Sequence, residues 1–273
     1  MKYLKIFESF EDIDSVCKKY GIKNYTINSD GSVNVDGDVD FYRKGFTKLP
    51  LKFGRVSGSF DCTSNQLTTL EGAPREVGEG VSFSGNQLTT LEGAPERVSG
   101  GFNCSRNKLT TLEGCPEEIG GGFFCYENQL TTLNGGPKRV SEDFNCRHNK
   151  LTTLEGAPRE VGRDFDCRYN QLTTLEGAPE KVGGSFDCEH NQLKTLKGAP
   201  EMIGNNFYYE DNPIYVIIDL FKNEKNFMDS LDWNYIRKNK ETNQYQIVLS
   251  IFKDACEEAG IEVPKSITGY KYI

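Results

Sequence analysis

No run of apolar residues in this 273-residue chain approaches the length of about eighteen that a membrane-spanning helix needs. The opening stretch MKYLKIFESF lacks the long apolar core of a secretory signal, so export is not expected. Histidine occurs only twice, and no HExxH, P-loop or Ser-His-Asp pattern is present. The glycines at 120–122 are not followed by a helical pattern, which excludes a phosphate loop there. These absences remove the common motif-borne chemistries, and the chain is expected to be no enzyme, with no cofactor and no metal. Net positive charge is also lacking. At -8 the chain would repel phosphates at long range, which disfavours general binding to nucleic acid or to anionic membrane. Charged residues make up 26% and hydrophobic residues 36%, the balance of a soluble globular protein. Nine cysteines, an odd number without an export signal, suit a reducing cytosol better than a disulfide framework.

What the chain does have is a strict repeat. Asparagine recurs every 21 residues at Asn65, Asn86, Asn107, Asn128, Asn149, Asn170, Asn191 and Asn212. Leucine follows two positions later from Leu67 to Leu193, and a second leucine column runs from Leu70 to Leu196. Proline keeps step from Pro74 to Pro200, and Val or Ile from Val77 to Ile203. Such spacing marks a solenoid with one supersecondary unit per repeat. The unit reads F-x-C-x-x-N-x-L-x-x-L-x-G-A-P-x-x-V-G. Phe and Cys two apart have the strand period and face one side, while Gly-Ala-Pro turns the chain. No part of the unit shows a long helical pattern. Each coil is expected to be a short strand, a bend at Asn and an extended or 3₁₀-like return, with strands stacked into a parallel sheet about 4.8 Å per step. One unit buries too few side chains to offset the ordering of its own backbone, so neighbouring coils must share hydrogen bonds and buried faces.

The F-x-C-x-x-N-x-L segment resembles the L-x-x-L-x-L-x-x-N-x-L signature of the leucine-rich repeat family. The short repeat with proline is most similar to the bacterial effector subclass. Phe186 follows Val182 by four positions where the family has three, and the extra residue lengthens each coil. The tract LTTLEGAP and the segment YTINSDGSVNVDGDVDF also resemble repeat proteins common in tailed-phage genomes. The resemblance implies a right-handed horseshoe with a concave parallel β-sheet, and asparagine side chains bonded to backbone groups of adjacent coils. It further implies a protein partner derived from a host, such as a defence component, and the host cytoplasm as location.

The stretch FDCEHNQLKTLKGAP gathers Asp187, Cys188, Glu189, His190 and Asn191 as a metal or catalytic pocket would. The repeat argues otherwise. Cys62, Cys104, Cys125, Cys146, Cys167 and Cys188 form one inward column in which Phe83 and Tyr209 stand as replacements. A core filler can be exchanged for Phe, and a metal ligand cannot. His148 and His190 share a column with Tyr169 between them, about 10 Å apart by strand spacing, too far for one zinc ion.

If Phe and Cys face in, their neighbours face out on the concave sheet. The residue between Phe and Cys runs Asp61, Ser82, Asn103, Phe124, Asn145, Asp166, Asp187, Tyr208. The residue after Cys runs Thr63, Ser84, Ser105, Tyr126, Arg147, Arg168, Glu189, Glu210. The next runs Ser64, Gly85, Arg106, Glu127, His148, Tyr169, His190, Asp211, and the residue before Phe runs from Ser59 to Asn206. Aromatic residues and Arg at the centre with charge at the rim are the composition of a protein-binding patch. The candidate contacts are Phe124, Tyr126, Arg147, His148, Asp166, Arg168, Tyr169, Asp187, Glu189, His190, Tyr208 and Glu210. Two other readings stay open. Arg147 and Arg168, flanked by Tyr126 and Tyr169, could hold a nucleotide as a sponge does; or the chain could be a self-assembling, virion-associated structural protein.

The ends read as caps. Residues 1–38 are expected to carry a capping helix over 9–21, with a Ser9/Asp12 capping box and Gly21 as its stop, and then a hairpin at Asp30-Gly31. Residues 39–212 form the solenoid, whose degenerate first coil uses Val39, Phe41, Phe46 and Leu49. Residues 213–273 are expected to be a helical cap or small module, with helices in IYVIIDLF, over roughly 226–237 and over Tyr245 to Ala259. Trp233 and the tail GYKYI are candidate contacts or ordinary packing.

Overall fold

A side-chain amide is the first thing that the repeat must place, because it sits buried at every corner. In the computed structural model, which describes residues 10–215, 217, 236–238, 245–247, 249–258, 262–267 and 270–273, Asn65 to Asn212 are all buried. Asn128 is typical. Its Nδ2 donates to the carbonyl of Cys104 in the preceding coil at 3.0 Å and to that of Cys125 in its own coil at 3.1 Å. Its Oδ1 accepts the N–H of Leu109 at 3.0 Å. Each amide therefore satisfies backbone groups of two coils at a bend where no strand ladder can reach them. The residue before each of these asparagines is left-handed, with φ between 52° and 58° at Ser64, Arg106, Glu127, His148, Tyr169, His190 and Asp211, and 67° at Gly85. The bend at Asn is as expected, but the column from Ser64 to Asp211, expected on the concave sheet, lies on the turn.

Two parallel sheets run the length of the coils. The phenylalanine sheet has nine strands, from Val39–Asp40 and Phe60–Asp61 to Phe207–Tyr208. The valine sheet has ten, from the antiparallel hairpin Tyr25–Ile27/Val33–Val35 through Phe53–Val56 to Met202–Ile203. The second sheet is the extended return of each coil. Its strands within the repeats are two residues long, too short to show alternation in the sequence, yet they pair coil to coil in register, as Val140 with Val161 and Val161 with Val182.

Between the sheets lies one continuous core. The six column cysteines and both leucine columns from Leu67 to Leu175 are wholly buried. Phe60, Phe83, Phe102, Phe123, Phe144, Phe165 and Phe186 form a ladder of rings with centroids 5.0–6.1 Å apart. One coil inverts the pattern, with Val81 and Phe83 where others have Phe and Cys, and the larger ring fills the space that the smaller residue leaves. The extra residue of each coil is accommodated by close stacking: a Cβ added at Gly162 would lie 1.9 Å from the carbonyl oxygen of Ser141. Burial drives the thiol pKa values of Cys125, Cys146, Cys167 and Cys188 well up, so these side chains act as apolar filler.

A helix over Phe10–Lys19 covers the first coil, with Cys17 buried and Ile13, Val16 and Tyr20 packed on the core. Gly21, at φ +71°, ends it, and the Ile22 N–H donates to the Cys17 carbonyl at 2.9 Å. Ser9 lies outside the described residues. At the other end Ile214 and Ile217 are buried against the core, and Tyr270 donates its hydroxyl to the Pro213 carbonyl. The region 226–235, including Trp233, also lies outside the described residues. Two parts of the expected helices are strands instead: Ile236–Lys238 pairs antiparallel with Tyr245–Ile247, which pairs parallel with Lys271–Tyr272. Within the range Tyr245 to Ala259 a helix occupies Leu249–Glu258. The helical spacing of Tyr245, Val248 and Leu249 coincided with an aromatic and β-branched alternation at 245–247, and strand pairing decided between them.

Removing the Asn128 amide leaves the Leu109 N–H without its acceptor and takes one donor each from the Cys104 and Cys125 carbonyls, which Asn107 and Asn149 still reach. Asn128→Ala is expected to lower stability by about 1–3 kcal/mol in urea unfolding. Gly162→Ala is expected to destabilise strongly as well, because backbone must move to admit its methyl group. Either variant unfolding at the wild-type midpoint would contradict the packing described.

Candidate protein-binding face

The outer side of the valine sheet neutralises itself. Along one column Arg55, Glu76, Arg97, Glu118, Arg139, Glu160 and Lys181 alternate in sign at every step. Arg97 is ion-paired with Glu76. The adjacent column adds Arg75 with Glu96 and Arg159 with Glu180, both at 2.8 Å. Opposite charges on neighbouring strands are the favourable arrangement, though each exposed pair contributes little.

The outer side of the phenylalanine sheet is built differently. In its first coils small polar groups satisfy one another: Thr63 Oγ1 lies 2.6 Å from Ser82 Oγ, and the hydroxyls of the buried Ser84 and Ser105 lie 2.8 Å apart. From Phe124 onward the columns carry aromatic rings and runs of like charge. Asp166 is registered with Asp187, and Arg147 lies one coil from Arg168, as Glu189 does from Glu210. Asp166 gathers both arginines. Arg168 donates to it through Nε at 3.1 Å and Nη2 at 3.0 Å, and Arg147 Nη1 lies 3.5 Å away. Arg168 also meets Asp187 at 3.0 Å. The Arg147 guanidinium sits 4.8 Å from the centre of the Tyr126 ring.

His148, Tyr169 and His190 form a stack along the corner, with centroids 4.3 Å apart at each step and ring planes within 6° and 12°. His190 Nε2 lies 3.3 Å from Asp211. The two imidazoles thus hold the faces of a tyrosine between them, and among the described residues no group of three or more His, Cys, Asp or Glu is placed to hold a metal ion. Tyr169 and Tyr208 are more than a third exposed, and the Tyr208 hydroxyl accepts from Asn206 at 2.8 Å. Phe124 is half-buried. Phe124 and Tyr208 bound a shallow recess of about 350 Å³, floored by Asn145, Asp166 and Asp187 and edged by Asp143, Asp164 and Ser185. Sequence spacing brought the twelve candidate contacts to one side. It did not show that both arginines are already bound by Asp166, nor that Asp143 and Asp164 border the recess. The residue before Phe, to which they belong, was the outward column least varied in type. An anion entering the recess would meet four carboxylates and one guanidinium, that of Arg168, already paired with Asp166 and Asp187, which weighs against the nucleotide reading.

No family model matches the sequence, and no curated protein matches it. Among solved structures the chain is similar to YopM, a leucine-rich effector protein from Yersinia pestis, at 20% identity and a TM-score of 0.47. The match covers 64% of this chain and 49% of that one, so the chain spans about half the length of that protein.

Asp187 carries the electrostatic cost of this face. Burial pushes its carboxyl up to about 6. The Glu189 N–H at 3.2 Å and Arg168 pull it down, while Asp166 and Glu189 add to the rise. Arg168 cannot compensate fully because Asp166 shares it. A carboxyl raised above its ordinary 3.8 takes up its proton in the folded chain first. Through this group relative stability therefore grows as pH falls from 7 through 6, and the penalty is complete above 6. Asp187→Asn is expected to stabilise the protein at pH 7 by about 1–3 kcal/mol and to change little at pH 4, measured by urea unfolding. A destabilised variant at pH 7 would contradict this balance.

Proposed function

We propose that the protein is a non-enzymatic scaffold that binds another protein through the outer face of its phenylalanine sheet. The observation that carries this is the contrast between its two faces. One chain, with one repeat, alternates its charges along the Arg55 to Lys181 column of the valine sheet and stacks like charges and aromatic rings on the other sheet. A surface that only had to be soluble would gain from alternation on both sides. Exposed rings beside arginines suit a binding hot spot. The histidines are committed to ring stacking and the column thiols are buried, which supports binding over catalysis.

The likeness of LTTLEGAP to the repeats of tailed-phage proteins supports a phage-encoded factor acting in the host cytoplasm. On that reading its partner is a host protein, with a defence component as the favoured class.

The test compares two double variants in capture from cells, with quantitative mass spectrometry of what is retained. Tyr169→Ala with Tyr208→Ala is expected to lower recovery of the partner at least tenfold, since hot-spot truncation costs about 2 kcal/mol or more. Arg97→Ala with Arg139→Ala, on the valine face, is expected to leave recovery unchanged. Equal recovery with both variants would remove the phenylalanine face from the account.

A further inference from the structure

We infer that the phenylalanine face receives a basic protein segment, and that the recess between Phe124 and Tyr208 takes an arginine side chain of that segment. This rests on the protein-binding reading above and names the chemistry of the partner.

The argument is one of charge complementarity on an open sheet face. In the later coils Asp143, Asp164, Asp166, Asp187, Glu189 and Glu210 outnumber Arg147 and Arg168. Both guanidiniums already lie against Asp166, and Arg168 also against Asp187, so their charge is directed into the face. The carboxylates at the edge of the recess are not matched in this way. Asp143 Oδ1 accepts the Asp164 N–H at 3.2 Å, and Asp164 Oδ1 accepts the Ser185 N–H at 2.7 Å. Among the described residues, the other oxygen of each of these two groups has no protein partner. Burial, together with Glu210 one coil on, holds the Glu189 carboxyl above its ordinary range. A cation delivered by a partner would relieve each of these juxtapositions.

The shape of the recess narrows the cation. Phe124 and Tyr208 stand four coils apart, about 19 Å by strand spacing, with carboxylates between them. A guanidinium is planar, stacks on aromatic faces and bonds carboxylates through two N–H groups at once. A bare divalent ion would need several convergent donors, and no such group is present among the described residues. A phosphate-bearing ligand would meet carboxylates on the floor and on the edge.

The probe is a fluorescein-labelled peptide, Gly-Arg-Leu-Arg-Gly, titrated with the whole protein and read by anisotropy. A citrulline counterpart of the same shape lacks the charge. The arginine peptide is expected to bind at least tenfold more tightly than the citrulline peptide, and its affinity to fall as salt rises. Asp143→Asn with Asp164→Asn keeps the Oδ1 acceptors and should weaken binding at least tenfold. Glu92→Gln with Glu113→Gln removes the same charge from exposed sites elsewhere and should change it less than twofold. Equal weakening by both variants, equal binding of both peptides, or no binding of the arginine peptide would overturn the inference. Photo-crosslinking from benzoylphenylalanine at position 124 separates the two levels. A crosslinked cellular protein without arginine-peptide binding overturns the basic segment and leaves the binding face; no crosslink and no peptide binding overturns both.

Discussion

The buried asparagine amide is the interaction on which the other features depend. A chain that turns back every 21 residues has backbone carbonyls and N–H groups at its corners that no sheet can pair. Placing a carboxamide there, bonded to its own coil and the one before, converts each corner into a fixed link. The link sets the register between coils, and the register sets which side chains are hidden. A slip of one residue would turn Phe and Cys outward and send Asp and Arg into the core. The left-handed residue before each asparagine costs some backbone strain. It is retained in seven coils by residues other than glycine, three of which recover contact energy as the His148–Tyr169–His190 stack.

With the register held, the two outer faces become independent surfaces on one scaffold, and they have diverged. The valine face alternates in sign along its Arg55 to Lys181 column and pairs Arg75, Lys138 and Arg159 with glutamates in the adjacent column. The phenylalanine face keeps Asp166 against Asp187 in register, places Glu189 beside Glu210 and exposes Tyr169 and Tyr208. Such departures from local consistency, on a framework that is otherwise regular, are where function is expected. The gradient along this face matters as well: the early coils close their hydroxyls on one another, and the later ones leave charge outward.

Much of this was legible in the sequence because repetition multiplies weak signals. One Phe-x-Cys pair means little, but eight coils in step define an inside and an outside, and with them the core columns and the face. Gly21 as a helix stop and the hairpin at Asp30-Gly31 were readable from local turn chemistry. Other features were hidden for physical reasons. The valine sheet is made of two-residue strands, whose pairing comes from stacking and leaves no alternation to read. The left-handed corner at His148 or Tyr169 belongs to the turn that the buried asparagine closes, and the outward alternation by which those columns were read does not show it. The capture of Arg147 and Arg168 by Asp166 depends on side-chain reach across adjacent coils, which spacing alone does not give. In the C-terminal region, Tyr245 to Ile247 satisfied two periodicities at once.

The central claim is that alternate residues of each short strand are hidden and those between them exposed. Thiol labelling measures this most directly. With iodoacetamide on the folded, reduced protein and mass spectrometry of the peptides, Cys62, Cys104, Cys125, Cys146, Cys167 and Cys188 should stay unmodified under native conditions and react fully in urea. Rapid modification of those six thiols in the folded protein would place the wrong side outward and contradict the account.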